Sequence, residues 1–454
     1  MELFFDEVID YALYLAQPSL NSLSRSYKPR KACFLLLHVS IDMAQPKLSI
    51  IIVGSGLAGL AAASTLREHH NVTVYERGSQ DVATGGQGLS IYPNAEKILK
   101  TVGFSADRAG AVGCQGYRSF DKSGKMFDDF PIDFHARYGG DMLLMKRSDF
   151  RAELLRLATA PAGEIEGVRG EPAKMFFNTP VVDLDPETAT ITLKDGSTVQ
   201  GNVVVVADGV HSALRHRITG DKSHAPKKTG LTLFRLAASI EDMKRVLGNS
   251  SDWLPSPEDD NRLNFVLAGD NTNRVVVHYP MQHHNYRNFS CLFLMPDSRA
   301  NVAESWYADG EKEEMLEVYK DFPEEVLKIM SVATELKIWD LQDMDPLPNW
   351  NRGRSILIGD AAHAMTPLQG QGANLAVEDA EGLQLLRPGM SHEAIASVLQ
   401  TIDKVRRPRA TRILLDTRKQ ARNATMEERL SKLDYNCSYK SIHEVLKADI
   451  SAGN

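Results

Sequence analysis

Three glycines and one acid carry the clearest chemistry in the chain. Gly54, Gly56 and Gly59 stand in G-x-G-x-x-G spacing, and Glu76 follows about twenty residues later. Gly54 permits a tight strand-to-helix turn, Gly56 admits a pyrophosphate to the backbone, and Gly59 lets helix and strand pack closely. The helix N-terminus beside them offers unpaired N–H groups and partial positive charge to phosphates. Glu76 can accept hydrogen bonds from both ribose hydroxyls, and its charge would repel a 2′-phosphate. This is dinucleotide-binding chemistry. It leaves FAD and NAD open and argues against NADP in this pocket.

The elements that must position these residues surround them. Leu48 to Val53 is an apolar run, broken only by Ser49, that reads as a buried parallel strand. An Ala/Leu-rich helix runs from Leu57 to roughly Arg67, and a second strand, Val72 to Tyr75, delivers Glu76. Downstream, Pro93 and Asn94 start a helix, and Asp121 to Lys125 reads as a hairpin turn. Ser148 is placed to cap a helix that begins after Arg147. Thr188 to Val199 alternates about a turn at Asp195-Gly196. Asn202 to Ala207 reads as another buried strand, ending at Asp208-Gly209.

Residues 226–343 change character. Alternating segments such as Arg274 to Tyr279 and Phe289 to Phe293 are separated by polar loops, notably Ser250 to Asn261, and predict a sheet domain. From Arg354 the nucleotide-domain pattern returns as strand, loop and helix, followed by a basic amphipathic helix, roughly Glu393 to Arg422. The predicted fold class is α/β. A Rossmann-like domain takes residues 43–120, 143–225 and 344–395. A sheet domain is inserted as 121–142 and 226–343, and a helical region covers 396–454. Residues 1–42 fit poorly with this plan. They are expected to be a dispensable extension or a start placed too far upstream, with Met43 well placed to begin the chain.

The 454 residues suffice for two domains, and 43% apolar with 24% charged content is ordinary for a soluble globular protein. A net charge of −7 gives no reason to expect nucleic acid or an anionic membrane as partner. The cysteines (Cys33, Cys114, Cys291, Cys437) are scattered, which excludes a cysteine-rich metal site and a disulfide framework and fits a reducing, cytoplasmic compartment. No stretch approaches the roughly 20 apolar residues of a membrane span. Glu2, Asp6 and Glu7 occupy the place where a signal peptide needs basic residues. The pair His283-His284 lacks helical metal spacing, and no metal is expected.

Two further motifs follow the glycine fingerprint in order. One is Ala207-Asp208-Gly209 with Ser212 and Arg215. The other is Gly359-Asp360-Ala361-Ala362-His363 through Pro367. In this combination the chain, from about residue 47 to about 425, resembles the class A flavoprotein monooxygenases, the para-hydroxybenzoate and salicylate hydroxylase group. Within that group it looks most like fungal salicylate-hydroxylase-like enzymes, several of which oxygenate aromatic polyketides. The resemblance implies an FAD-binding domain with an inserted substrate sheet and a C-terminal helix. It implies that NAD(P)H reduces the FAD without a second Rossmann domain. The activity implied is hydroxylation of a small phenolic substrate with O2, through a flavin C4a-hydroperoxide. A salicylate-type decarboxylating hydroxylase stays open, as does a redox-silent FAD-binding scaffold. The substrate and the oligomeric state are not specified.

The resemblance also assigns residues. Gly86 and Gly88 meet the flavin side. Arg147 lies near the flavin and its phosphates, where a guanidinium suits an anion. Asp208 lies between the FAD and the path of NAD(P)H, with Arg215 left to pair with Asp208 or a phosphate. Asp360 can hydrogen-bond a ribityl or ribose hydroxyl, and Pro367 stiffens the loop after it. Gln369 to Asn374, including Gly372 and Ala373, exposes N–H groups at a helix N-terminus that the family turns toward the N1–C2=O edge of the flavin. A helix dipole suits the negative charge of reduced flavin there. His363 is expected to be structural. For chemistry, Arg235 could hold a phenolate or carboxylate over the flavin, and Tyr279 could contact the substrate.

Overall fold

The apolar run of the fingerprint forms the strand Ser49–Val53 in the interior of a six-stranded sheet. In the computed structural model, which describes residues 45–81, 87–248, 261–296, 308–419 and 426–452, its parallel neighbours are Asn71–Tyr75 and Val203–Val206. Ser355–Leu357 extends the sheet on one side and Lys174–Phe176 on the other. Ile50, Ile52 and all of Val203–Val206 are fully buried. Burial on both faces is why these strands read as continuous apolar runs. Helix Leu57–Leu66 packs against helix Gly372–Gly382, so the fingerprint and the third motif share one layer. The expectations for residues 1–42, for Gly86 and for most of the loop 250–261 lie outside the described residues.

An eight-stranded sheet forms the second layer system. Its long strand Lys227–Ser239 pairs antiparallel with Tyr286–Leu294 and Thr334–Asp343, and Val275–Met281 pairs with Tyr286–Leu294. Side chains alternate between its faces with period two. One face buries Phe234, Leu236, Phe289, Cys291 and Val276 in a core with Met243, Met315 and Ile329 from three helices, Ile240–Leu247, Lys312–Val318 and Glu324–Val332. The other carries Arg235 opposite Ser290 and Tyr279 opposite Asn288.

Some boundaries differ from the reading of the sequence. Gly116–Asp121 is already a strand of the large sheet, paired in parallel with Leu263–Leu267, so the sheet begins before residue 121. That pairing spans a long sequence separation and leaves no local mark. The turn at Asp121 to Lys125 is present, with the Ser123 and Lys125 N–H groups donating to Asp121 Oδ1. Ser148 is not a cap. Strand Leu143–Lys146 runs straight into helix Arg147–Thr159, so Lys146 occupies the N-cap position and the Ser148 hydroxyl turns to Asp149. The long helix spans His392–Arg418, capped by Ser391 and with Pro408 inside it. Two helices follow, Met426–Cys437 and Ile442–Ala452. Among the described residues, no helix is long and apolar enough to cross a membrane.

Candidate active site

The three fingerprint glycines have different surroundings. At Gly54, with φ +102°, a Cβ would run into the Ala207 carbonyl oxygen. At Gly59 it would run into the Gly54 carbonyl oxygen and lie 3.3 Å from Ile52 Cγ2. At Gly56 it would meet nothing within 4 Å. The outer two glycines are therefore required by packing, and the middle one fronts open space. Helix Leu57–Leu66 begins there with no side-chain cap and no acid in its first turn. Its first N–H groups are left for an anion. Glu76 is held beside them: Oε2 accepts from the Ser55 N–H (2.7 Å) and hydroxyl (3.0 Å), and Oε1 accepts from the Gly78 N–H (2.7 Å). Lone pairs remain for ribose hydroxyls.

The structure adds Arg151 to this end. Its Nε donates to Ser55 O (3.2 Å) and its Nη2 to Ser55 Oγ (3.1 Å). Only its position one helical turn after Arg147 could have signalled this in the sequence. Arg147 itself donates its backbone N–H to Gln87 O (2.8 Å), and its charge acts on Arg235.

The second and third motifs meet through Arg215. Its buried guanidinium donates to Ala361 O and Val210 O (2.8 Å each) and to Asp360 O (3.3 Å). The expected pairing with Asp208 or a phosphate is replaced by a fan of carbonyls, which suits the fork of donors on one guanidinium. Asp208 Oδ2 instead accepts from the Ala213 N–H (2.9 Å). Its Oδ1 is buried with no partner, and burial raises its pKa. His363 is buried, with Nε2 2.6 Å from Asp379 Oδ2, and the same oxygen accepts from the Gly359 N–H (3.0 Å). Asp379 and Glu378 in turn meet Arg406 of the long helix.

The Asp360 side chain is exposed, with Oδ1 3.9 Å from where a Cβ on Gly372 would lie. Pro367 opens the short turn Pro367–Gln369, and Gly370 follows at φ +65°. Helix Gly372–Gly382, with Ala373 in its first turn, again starts with no side-chain cap and no acid there. Asn374 ties this terminus to strand Gly88–Ile91: its Oδ1 accepts from the Tyr92 N–H (2.7 Å), and its Nδ2 donates to Ser90 O (3.1 Å).

Arg235 and Tyr279 meet at Gly88. Arg235 Nη2 donates to Gly88 O (2.5 Å), and Asn288 Oδ1 accepts from the Gly88 N–H (2.7 Å). A Cβ on Gly88 would lie 2.6 Å from the Tyr279 hydroxyl, so only glycine fits. The Arg235 guanidinium lies 4.9 Å from the centroid of the Trp339 ring. Burial pushes the Arg235 pKa down to about 10 and the Tyr279 phenol up to about 12, so at neutral pH the pair is a cation beside a neutral phenol. Arg235 Nε is buried with no partner. Asn288 and Trp339 were not singled out from the sequence. Their roles come from cross-strand register.

The open face of Gly56, the unpartnered Asp208 Oδ1, the Glu76 carboxylate and two uncapped helix termini fit FAD. Glu76 and the fingerprint would hold its adenosine and pyrophosphate, and the Gly372 terminus its ring. Together with the eight-stranded sheet and, among the described residues, one parallel dinucleotide-type sheet, they match the arrangement of the class A flavoproteins. A family described as FAD binding domain matches residues 47–417. The FAD-dependent monooxygenase cfoG of Aspergillus candidus is 30% identical over 81% of this chain and 84% of its own length. The 3-amino-4-hydroxybenzoate 2-monooxygenase PtnB3 of Streptomyces platensis is 31% identical over 76% and 80%. A salicylate hydroxylase substrate complex shares the fold with a TM-score of 0.66 at 23% identity, covering 87% of this chain and 95% of that one. The chain belongs to this FAD-binding family and is an FAD-dependent monooxygenase of the aromatic-hydroxylating class.

Proposed function

We propose that this enzyme hydroxylates a phenolic ring seated between Arg235 and the helix terminus at Gly372. One observation supports the reading above the others. Arg235 is only 8% exposed, and among the described residues no carboxylate pairs with it. A buried cation without a counter-ion costs several kcal/mol, roughly. An anionic substrate oxygen, phenolate or carboxylate, supplies the missing charge. A phenolate also enriches the ring carbons beside and opposite it, which favours attack on an electrophilic oxygen. One relative is named for 3-amino-4-hydroxybenzoate, which carries a carboxylate and a phenol hydroxyl that can become a phenolate.

When bound, FAD supplies hydride acceptance from NAD(P)H and activation of O2. The chain's own residues do the rest. Glu76, Arg147 and Asp360 hold the cofactor, Arg235 and Tyr279 orient the ring, and the close approach of Gly88 to the sheet keeps water out. The free thiols of Cys114, Cys291 and Cys437 suit a reducing, cytoplasmic setting.

The test is NADH and NADPH oxidation across a panel of phenols and hydroxybenzoates, with product mass followed. A gain of one oxygen supports the proposal, and oxygen gain with CO2 loss identifies the decarboxylating form. No oxidation stimulated by any phenol would refute it.

A further inference from the structure

The helix Met426–Cys437 lies beyond the family match, which ends at residue 417, yet it packs into the site. Its Leu433 and Cys437 are buried in one apolar cluster with Tyr92, Leu144 and Tyr279. Asp434 Oδ1 accepts from the Tyr138 hydroxyl (2.8 Å) and from Arg137 Nη2 (2.9 Å). From the long helix, Arg409 donates to Tyr435 O (3.0 Å) and Asn436 O (2.8 Å), while its Nε donates to Glu378 Oε2 (2.7 Å) on the flavin-facing helix. The backbone at Asn436 is thus pinned from one side and its helix from the other.

Asn436 is 6% exposed, and its Nδ2 donates to Gln369 Oε1 (3.1 Å). Gln369 stands in the loop that leads to the Gly372 terminus. With its oxygen taken, its amide nitrogen is turned away from Asn436. That Nε2 is buried and has no partner. A buried donor left unpaired is costly, so this amide is suited to an acceptor oxygen. The neighbouring Gly370 locates the loop: a Cβ there would lie 2.8 Å from Ser90 Oγ and 3.4 Å from Tyr92 Cε2. Ser90 and Tyr92 continue the segment whose Gly88 receives Arg235. The loop that carries the unpaired donor therefore borders the segment from Gly88 to Tyr92.

We propose that Gln369 contacts the aromatic substrate, donating from its amide to an acceptor oxygen. Asn436 is then a positioning residue that sets the direction of that amide. The inference rests on the proposed function, since it needs a phenolic ring at Arg235. It makes the C-terminal helix part of the wall that selects the substrate.

The test titrates the holoenzyme with 3-hydroxybenzoate and 3-amino-4-hydroxybenzoate and reads the flavin absorbance change. Gln369→Ala and Asn436→Ala are each expected to weaken binding about fivefold, as for one lost hydrogen bond. The double variant is expected to bind no worse than Gln369→Ala alone, with FAD affinity unchanged throughout. Asn436→Asp keeps the size but sets a carboxylate against Gln369 Oε1, and serves if the alanine variant does not fold; it is expected to weaken binding at least as much. Unchanged probe affinity in the folded single variants would overturn the proposal. So would full additivity in the double variant, or a loss of FAD affinity with probe affinity intact. If neither probe perturbs the wild-type flavin and no other phenol does, the proposed function falls and takes this inference with it.

Discussion

Arg235 and Gly88 are joined by a 2.5 Å hydrogen bond from a buried guanidinium to a backbone carbonyl. The bond couples the eight-stranded sheet to the segment that carries Gly88, and it leaves the buried Nε of the same guanidinium without a partner. Replacing Arg235 by Ala is expected to lower kcat/KM for a phenolic substrate by about 100-fold, the scale for losing a buried charge partner. FAD affinity is expected to hold. Lysine is not expected to rescue, because it lacks the planar fork that spans Gly88 and stacks under Trp339. Steady-state kinetics and FAD titration of both variants check this.

The fingerprint glycines separate folding from binding. Gly54→Ala is expected to prevent stable folding, because the new methyl meets the Ala207 carbonyl at φ +102°. Gly56→Ala is expected to leave the apoprotein melting temperature within a degree or two, roughly, since a Cβ there meets nothing within 4 Å. Its FAD affinity is expected to fall at least tenfold, on the order of the loss of one close phosphate contact. Melting curves of apoprotein and fluorescence titration with FAD distinguish the two.

Arg215 is expected to act through stability. Arg215→Ala strands the carbonyls of Ala361 and Val210, each of which receives a 2.8 Å bond. The expected loss is about 2–4 kcal/mol in denaturant unfolding, with weakened FAD binding as a consequence. Unaltered unfolding would show that the tie between the second and third motifs is dispensable.

His70 is expected to make the fold sensitive to acid. Burial lowers its pKa from 6.5 to about 4, and its Nε2 lies 3.3 Å from Leu386 O. The folded chain keeps His70 neutral where the unfolded chain would protonate it. Unfolding therefore takes up a proton between pH 6.5 and about 4, and stability falls as the pH drops through that window. His70→Gln is expected to flatten this part of the stability profile while leaving stability above pH 7 less affected. Urea unfolding at stepped pH values measures it.

The dinucleotide-binding fold was readable because its signals fall within short segments of the chain. Gly54 and Gly59 sit on one turn and Glu76 follows the next strand of the same βαβ unit, while Asp360 and Gly372 open the two helices that flank one loop. Arg235 and Tyr279 were reached through resemblance and strand position. Arg151, Gln369 and Asn436 were not assigned these contacts, because each partner lies far away in sequence: Ser55 for Arg151, and Gln369 for Asn436 across 67 residues. Ser148 misled for a related reason. A Ser ahead of an acidic, apolar stretch looks like a cap, but a strand running directly into the helix left it inside the first turn.

The most direct measurement is a single turnover of the reduced holoenzyme with a phenolic substrate under 18O2, with the product analysed by mass. The expected product carries one 18O on the ring. Consumption of NAD(P)H and O2 with the phenol recovered unchanged, or with the added oxygen drawn from water, would contradict aromatic hydroxylation at this site.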